Sequence, residues 1–364
     1  MSKPSAKKQK KQKDRDQQNR QKKLDRERRQ ALTARKIEYA QKYPGFVFDT
    51  ENGHPEFVEL VKKAVAQIDF DDRTVFQPWE AEAFCLIKQG RWKAGSTRMD
   101  EIMAEARERG FEGATLGEIC FTLHIGQVVF DLIGEAELAK YLPVNDVAFY
   151  FGGGDVVGRF ESLLHAKGSG GTVYYSRKRP MLEIDGEKQI VAFSRHAIDR
   201  TCDRLKSDRK SYVAIGDVFG FLNYCVYFER CDLDGGQVGF TFYDMCGKAP
   251  FWQRHYVTEV LGAENVDPAK GECYYRVGYC PAIIEGGFIK AKTLLLPGFA
   301  KTPEYGAILR SSLARREKQE MIEKAKHLDA GGLWKSNDLS VIKWFHDNGV
   351  PQVVQLPTHV FDYT

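Results

Sequence analysis

The feature that most constrains this chain is a block of positive charge at its start. Residues 1–36 hold 15 Lys and Arg against four Asp and Glu, a net charge of +11. Between Met1 and Ala31 the only large apolar residue is Leu24. Such a segment buries too little surface to offset the entropy of ordering, so it is either disordered or a solvated helix. The whole chain of 364 residues carries +4, so the other 328 carry 4 − 11 = −7. A dense cationic arm attracts phosphates by counterion release, without sequence preference. RNA or the ribosome is therefore the expected partner of residues 1–36. The alternative is a solubilising tail, or a helix laced by i,i+4 ion pairs.

The body is a different material. Hydrophobic residues make up 43% of the chain, enough for a sizeable core, and the length suggests about two domains. No run of 18 apolar residues occurs, so no membrane span is expected. No apolar signal region follows the basic start, which predicts a cytoplasmic protein with reduced thiols. None of the eight cysteines forms a C-x-x-C pair. Cys225 to Cys231 and Cys273 to Cys280 are spaced too widely for a usual zinc knuckle, so no metal is expected.

Periodicity divides the body into three parts. Residues 37–142 read as a helical domain after a turn-rich YPGFVFDTENGH. Phe57, Leu60, Val61, Ala64, Val65 and Ile68 recur at helical spacing, with Pro55 suited to the first turn. Further helices are expected over WEAEAFCLIKQG, ending at Gly90, from Thr97 to near Gly110, and through LGEICFTLHIGQVVFDLIG. Residues 143–300 read as an α+β domain with an antiparallel or mixed sheet packed with helices. Strand-like runs include VAFYF, TVYYS, KQIVAFS, CVYFERC, VGFTFYD and FIKAKTLLL. Asp185-Gly186 and Glu285-Gly286-Gly287 read as hairpin turns, and helical patterns cover 195–206 and about 211–224. Residues 301–364 read as C-terminal helices and a tail, with one charged helix over about 303–328 and a short one over 338–346.

Four segments bear on chemistry. FGGGDVVGRF lacks both the Gly-Lys-Ser/Thr of a phosphate loop and the third glycine of a dinucleotide fingerprint, so it reads as a glycine turn and no cofactor is expected. GSGG, residues 168–171, reads as a flexible loop. FSRHAIDRTCDR is the most informative. At about 100° per residue, His196, Arg200 and Arg204 share one stripe of a helix, and Ile198, Cys202 and Leu205 face the other way. Cleavage of RNA needs a base or acid near neutrality and cations on the phosphate, which His and Arg supply. Asp199 and Asp203 interleave, however, and leave open a solvated face of surface ion pairs. In FIKAKTLLL, alternation puts Lys290 and Lys292 on one face, either lining a phosphate groove or protecting an edge strand. His255, beside Arg254 in an insert over 247–272, joins such a site or is a structural histidine among aromatics.

The order strand, F-S-x-H-A-x-x-R helix, second helix, strands and a last K-A-K-T-L-L-L-P strand resembles the small toxin-type ribonucleases of the barnase, colicin and RelE-like fold. The resemblance covers about residues 180–298 and rests on His196, Ala197, Arg200 and the Lys/Thr strand. It implies a metal-independent endoribonuclease with His196 and Arg200 catalytic and Lys292 or Thr293 nearby. Arg204, Lys290 and His255 complete the expected substrate contacts. Side-chain heads of His196, Arg200 and at least one of Lys290 or Lys292 are then expected within roughly 10 Å of one another, about one Debye length. The competing reading is a non-catalytic adaptor, in which the arm binds nucleic acid and the body binds a protein partner.

Overall fold

The structure, a computed structural model, describes residues 6–92, 96–108, 125–168, 170–205, 218–220, 222–223, 227–233, 235–245, 262, 272–326 and 340–356. The protein is α+β and divides into two compact units. One comprises Met1–Gly134 and Val147–Phe160, the other Glu135–Asp146 and Glu161–Thr364. This division does not follow a boundary at 142/143, because most of one hairpin belongs with the first unit's helices.

The first unit opens with α1, a single helix over Ala6–Lys42. At 1.5 Å per residue it is about 55 Å long. Of the two states open to the basic segment, the structure takes the helix, and its described side chains from Arg15 to Glu38 are exposed. Strand β1 (Phe46–Asp49) follows and pairs in parallel with β3 (Asp155–Ser162), which also pairs with β2 (Asn145–Gly152). Four residues between turns carry too little alternation to announce a strand, which is why the sequence reads there as turn. Gly153 and Gly154 turn β2 into β3 at φ of +62° and +86°, a region that favours glycine. Helices α2 (Pro55–Val65), α3 (Pro78–Lys88), α4 (Thr97–Glu108) and α5 (Ile125–Ile133) are the unit's other described helices. Proline opens the first two, where its missing N–H costs nothing. The core is aromatic: Phe70 stands 5.2 Å from Phe76 and 4.8 Å from Phe84, ring centre to ring centre.

The second unit begins with the short α6 (Glu135–Leu138) and is built on a mixed nine-stranded sheet. Its strands are β4 (Leu164–Gly168), β5 (Gly171–Tyr175), β6 (Met181–Ile184), β7 (Glu187–Ser194), β8 (Tyr227–Leu233), β9 (Gln237–Met245), β10 (Glu272–Glu285), β11 (Phe288–Ala291) and β12 (Val353–Leu356). The order is β4-β5-β7-β11-β10-β9-β8, with β6 on β7 and β12 on β10. Among the described residues, only the β7–β11 pairing is parallel in this sheet. Asp185-Gly186 and Gly286-Gly287 all have positive φ and form the tight turns their sequences predict. Helix α7 (Arg195–Leu205) leaves β7 directly. Its Ala197, Ile198 and Cys202 join one core with Val191, Phe193, Ile289 and Ala291 of the sheet.

Helices α8 (Pro303–Arg310), α9 (Arg315–Lys326) and α10 (Ser340–Asp347) close the unit around Ile308, Ala325, Val341 and Phe345. The single helix expected over 303–328 is therefore two. Ser311 leaves the helix at ψ 163° with its hydroxyl on the Ile308 carbonyl, and the Glu317 carboxylate accepts the Ala314 N–H to start α9. Most of the helical pattern at 211–224, and the insert with His255, lie outside the described residues. Among the described residues no helix is long and apolar enough to cross a membrane.

Candidate nucleic-acid interface

Helix α1 carries 15 Lys and Arg against five Asp and Glu. Its apolar residues do not form a stripe. At about 100° per residue, Leu24, Leu32 and Ile37 fall at about 0°, 80° and 220° around the axis, and all three are exposed. That excludes a coiled-coil seam and a membrane-lying amphipathic face. Lys22, Lys23, Arg26, Arg28 and Arg29 fall at about 0°, 100°, 40°, 240° and 340°, so positive charge surrounds the rod. The ladder of ion pairs that would neutralise it is thin: on this stretch the described pairs are Lys23–Glu27 at 3.9 Å and a Gln21–Asp25 hydrogen bond.

The rod is held at one end. Tyr39 and Tyr43 sit one turn apart with rings 4.9 Å apart, and Tyr43 is buried against Phe70. The Phe70 N–H donates to the Tyr39 hydroxyl at 2.7 Å. The Tyr43 hydroxyl donates to Asp71 Oδ1 at 2.6 Å, and Lys42 Nζ donates to the same oxygen at 3.1 Å. Tyr43 and Lys42 hold the Asp71 carboxyl below its usual range, and burial pushes the Tyr39 hydroxyl up to about 12. This clamp aims the cationic helix from a fixed base. Sequence reasoning placed the arm's end at residue 36 and missed it; the signal was the Tyr39/Tyr43 pair at i,i+4, polar-tipped aromatics at the foot of the helix.

Helix α7 supplies the second group of predicted residues. Its packing face leaves His196 and Arg200 exposed, and Ser194 Oγ caps the helix by accepting the Ala197 N–H at 3.1 Å. The aspartates take up part of the charge: Arg195 meets Asp199 at 2.9 Å and Arg200 meets Asp203 at 3.9 Å. Arg204 differs. Its Nη1 donates to Thr293 Oγ1 at 3.3 Å and its guanidinium lies 4.6 Å from the Phe299 ring centre. Burial, and then the neighbouring Arg200, hold its pKa below the ordinary arginine value. Arg204 and Thr293 are thus brought together, and Lys292, exposed, follows Ala291, whose partner across β7–β11 is Phe193 at the foot of α7.

Lys290 does not join them. It is 5% exposed and pairs with Glu285 Oε2 at 2.7 Å. Its flanking residues Ile289 and Ala291 face the core that α7 covers, so alternation turns Lys290 to the opposite face. The structure places it instead as a charge-paired lysine beneath the β4–β5 turn, where Gly170 donates its N–H to Glu285 Oε1 at 3.3 Å. Nor does the alternation that paired Lys290 with Lys292 extend that far, since β11 ends at Ala291.

A buried polar network fixes the C-terminal helices to the sheet. Glu304, fully buried in the first turn of α8, accepts from the Tyr279 hydroxyl at 2.6 Å and from Gln352 Nε2 at 2.5 Å. Arg276 Nη1 lies 3.7 Å from Glu304 and donates to Tyr279, while its Nη2 donates to Tyr243, whose hydroxyl donates to Glu229. Burial opposes the Arg276 charge, but Tyr279, Tyr243 and Glu304 raise its pKa above the ordinary value. The Thr302 hydroxyl caps the helix by accepting the Tyr305 N–H. The charged helix expected from about residue 303 does begin there, but the inward turn of Glu304 is not legible in the sequence, since an acid in a first turn is as a rule solvated.

Comparison with protein families, with curated proteins and with solved structures finds no match to this chain.

Proposed function

We propose that this chain is an RNA-associated adaptor that grips the phosphate backbone through α1 and presents its folded body to the assembly it joins. The observation that carries this is the clamped rod: about ten turns of helix with net positive charge all round, anchored at its foot by Tyr39, Lys42 and Tyr43. Like charges at i,i+3 and i,i+4, such as Lys23/Arg26 and Lys22/Arg26, oppose the isolated helix by a few tenths of a kcal/mol each. A polyanion removes that repulsion. The test replaces Lys22, Lys23, Arg26, Arg28 and Arg29 with Gln and measures affinity for a labelled RNA by fluorescence anisotropy. Binding weakened at least tenfold in 0.1 M salt is expected; equal affinity sinks the reading.

A second reading is metal-independent RNA cleavage at α7, in line with the likeness of residues 180–298 to toxin-type ribonucleases. The observation favouring it is the exposed His196 at a helix start, with Arg200 one turn on and Lys292 following the strand that pairs with β7. There His196 acts as general base or acid and the arginines hold the phosphate. Incubation with total RNA in EDTA decides it: wild type cuts and His196→Ala does not, or the cleavage reading is wrong.

A further inference from the structure

Loop, α8 and α9 of the second unit enclose an open groove of about 780 Å³, within the range that accepts small ligands and short polymer segments. Phe299, Tyr305, Leu309 and Ile322 line it, together with Arg315 and Lys318. Both aromatic rings are half-buried, so each keeps open surface. The charges lining the groove do not cancel. Lys326 is taken by Glu323 at 2.7 Å, but Lys318 Nζ donates to a neutral carbonyl, that of Leu309, and Arg315 has no ion-pair partner among the described residues.

A separate observation points to the same spot. Arg204 lies over the Phe299 ring, and both its contacts, this ring and the Thr293 hydroxyl, are uncharged. No carboxylate lies within ion-pair distance of it among the described residues; Asp203 attracts it only from beyond that distance, and Arg200 repels it. A half-buried guanidinium with no direct ion-pair partner is a costly arrangement, and an incoming anion relieves it. One aromatic ring thus joins an uncompensated arginine on α7 to the groove between α8 and α9.

We propose that this groove binds a single-stranded RNA segment, with a base against Phe299 and Tyr305 and phosphates on Arg204, Arg315 and Lys318. The combination of ring faces and unneutralised cations suits a base joined to a phosphate. An acidic amphipathic peptide matches the cations but leaves the arginine-stacked ring unused. The proposal rests on the RNA reading above and adds a contact of another kind. The arm reads charge alone and does not distinguish duplex from single strand. The groove accepts only unpaired bases.

The experiment uses the full chain and two probes, a ten-nucleotide oligoadenylate and a ten-base-pair RNA duplex. Anisotropy is measured for wild type, for Phe299→Leu, and for the doubly substituted Arg315→Gln, Lys318→Gln protein, whose changes sit at exposed or half-exposed positions and leave the core intact. Stacking is worth a factor of about ten per base. Both variants are expected to lose about tenfold in affinity for the single strand and less than twofold for the duplex. Unchanged single-strand binding in both, or equal losses on both probes, overturns the groove. AMP binding that Phe299→Leu abolishes, with oligoadenylate affinity unaltered, marks a free-nucleotide site and also overturns it. So does a labelled glutamate-rich amphipathic peptide that binds wild type and is lost in both variants while the oligonucleotide is not. Failure of the arm reading is separately visible: the five Gln substitutions in α1 then leave duplex affinity unchanged.

Discussion

Replacing Glu304 with Ala removes the acceptor at the centre of the buried network and leaves Arg276 without its carboxylate. The Arg276 side chain is 14% exposed and that of Glu304 is 0% exposed, so water cannot take over the lost interaction. Breaking a buried ion pair from one side costs about 3–5 kcal/mol. The second unit has about 200 residues, for which each kcal/mol moves the melting temperature by about 2–4 °C, so Glu304→Ala is expected to melt about 6–20 °C lower. A double-mutant cycle with Arg276→Met isolates the pair. Removing both charges deletes the uncompensated cation, so the double variant falls short of the summed single losses by about 2–3 kcal/mol. The assay is urea unfolding followed by tyrosine and tryptophan fluorescence. Because Glu304 precedes Tyr305, the same single variant weakens oligoadenylate binding at the groove. A single-variant loss under about 1 kcal/mol, or strict additivity in the cycle, refutes the view that this network holds α8 in place.

Gly298 has φ +86°, and a Cβ there would lie 2.7 Å from Ala325 Cβ and 2.8 Å from the Ile322 carbonyl; Gly298→Ala is therefore expected to cost about 2–4 kcal/mol in thermal melts. Gly286, at φ +60° with nothing within 4 Å, bears only the backbone strain, and Gly286→Ala costs about 1 kcal/mol; equal losses at the two sites contradict the close-contact argument. In the first unit, Lys88 and the Gly45 N–H hold the Asp155 carboxyl below its ordinary value. A depressed folded-state pKa gives stability that is present above the unfolded value near 4 and is lost as the pH falls through the folded one. Asp155→Asn is thus expected to cost about 1 kcal/mol at pH 7 and less at pH 2, measured by urea unfolding at both; a constant difference contradicts the assignment.

Much of the fold was legible because local chemistry forces it. Pro55, Gly90 and Asp185-Gly186 mark their boundaries by local backbone restrictions. The α7 face was legible because Ile198 and Cys202 stand at helical spacing, and both join the core. What failed depended on partners distant in sequence. β1 is a strand because β3 lies beside it, a hundred residues on. Lys290 read as a phosphate ligand because alternation gives a face but not which face is covered, nor that Glu285 waits across the turn. The Phe299 groove left no sequence signature, since its walls come from a loop and two helices and each wall residue by itself is ordinary.

The grip of α1 on RNA is tested most directly by the salt dependence of binding. The logarithm of the affinity of the full chain for a 20-base-pair RNA should fall linearly with the logarithm of salt concentration, with a slope of about −0.7 to −0.9 per phosphate contacted. With even half of the 15 cations of α1 engaged, that slope is about −5 to −7. Substituting Gln at Lys22, Lys23, Arg26, Arg28 and Arg29 should flatten it by about 2 to 4. A slope near zero, or one that these five substitutions leave unchanged, contradicts the claim that α1 is the grip on nucleic acid.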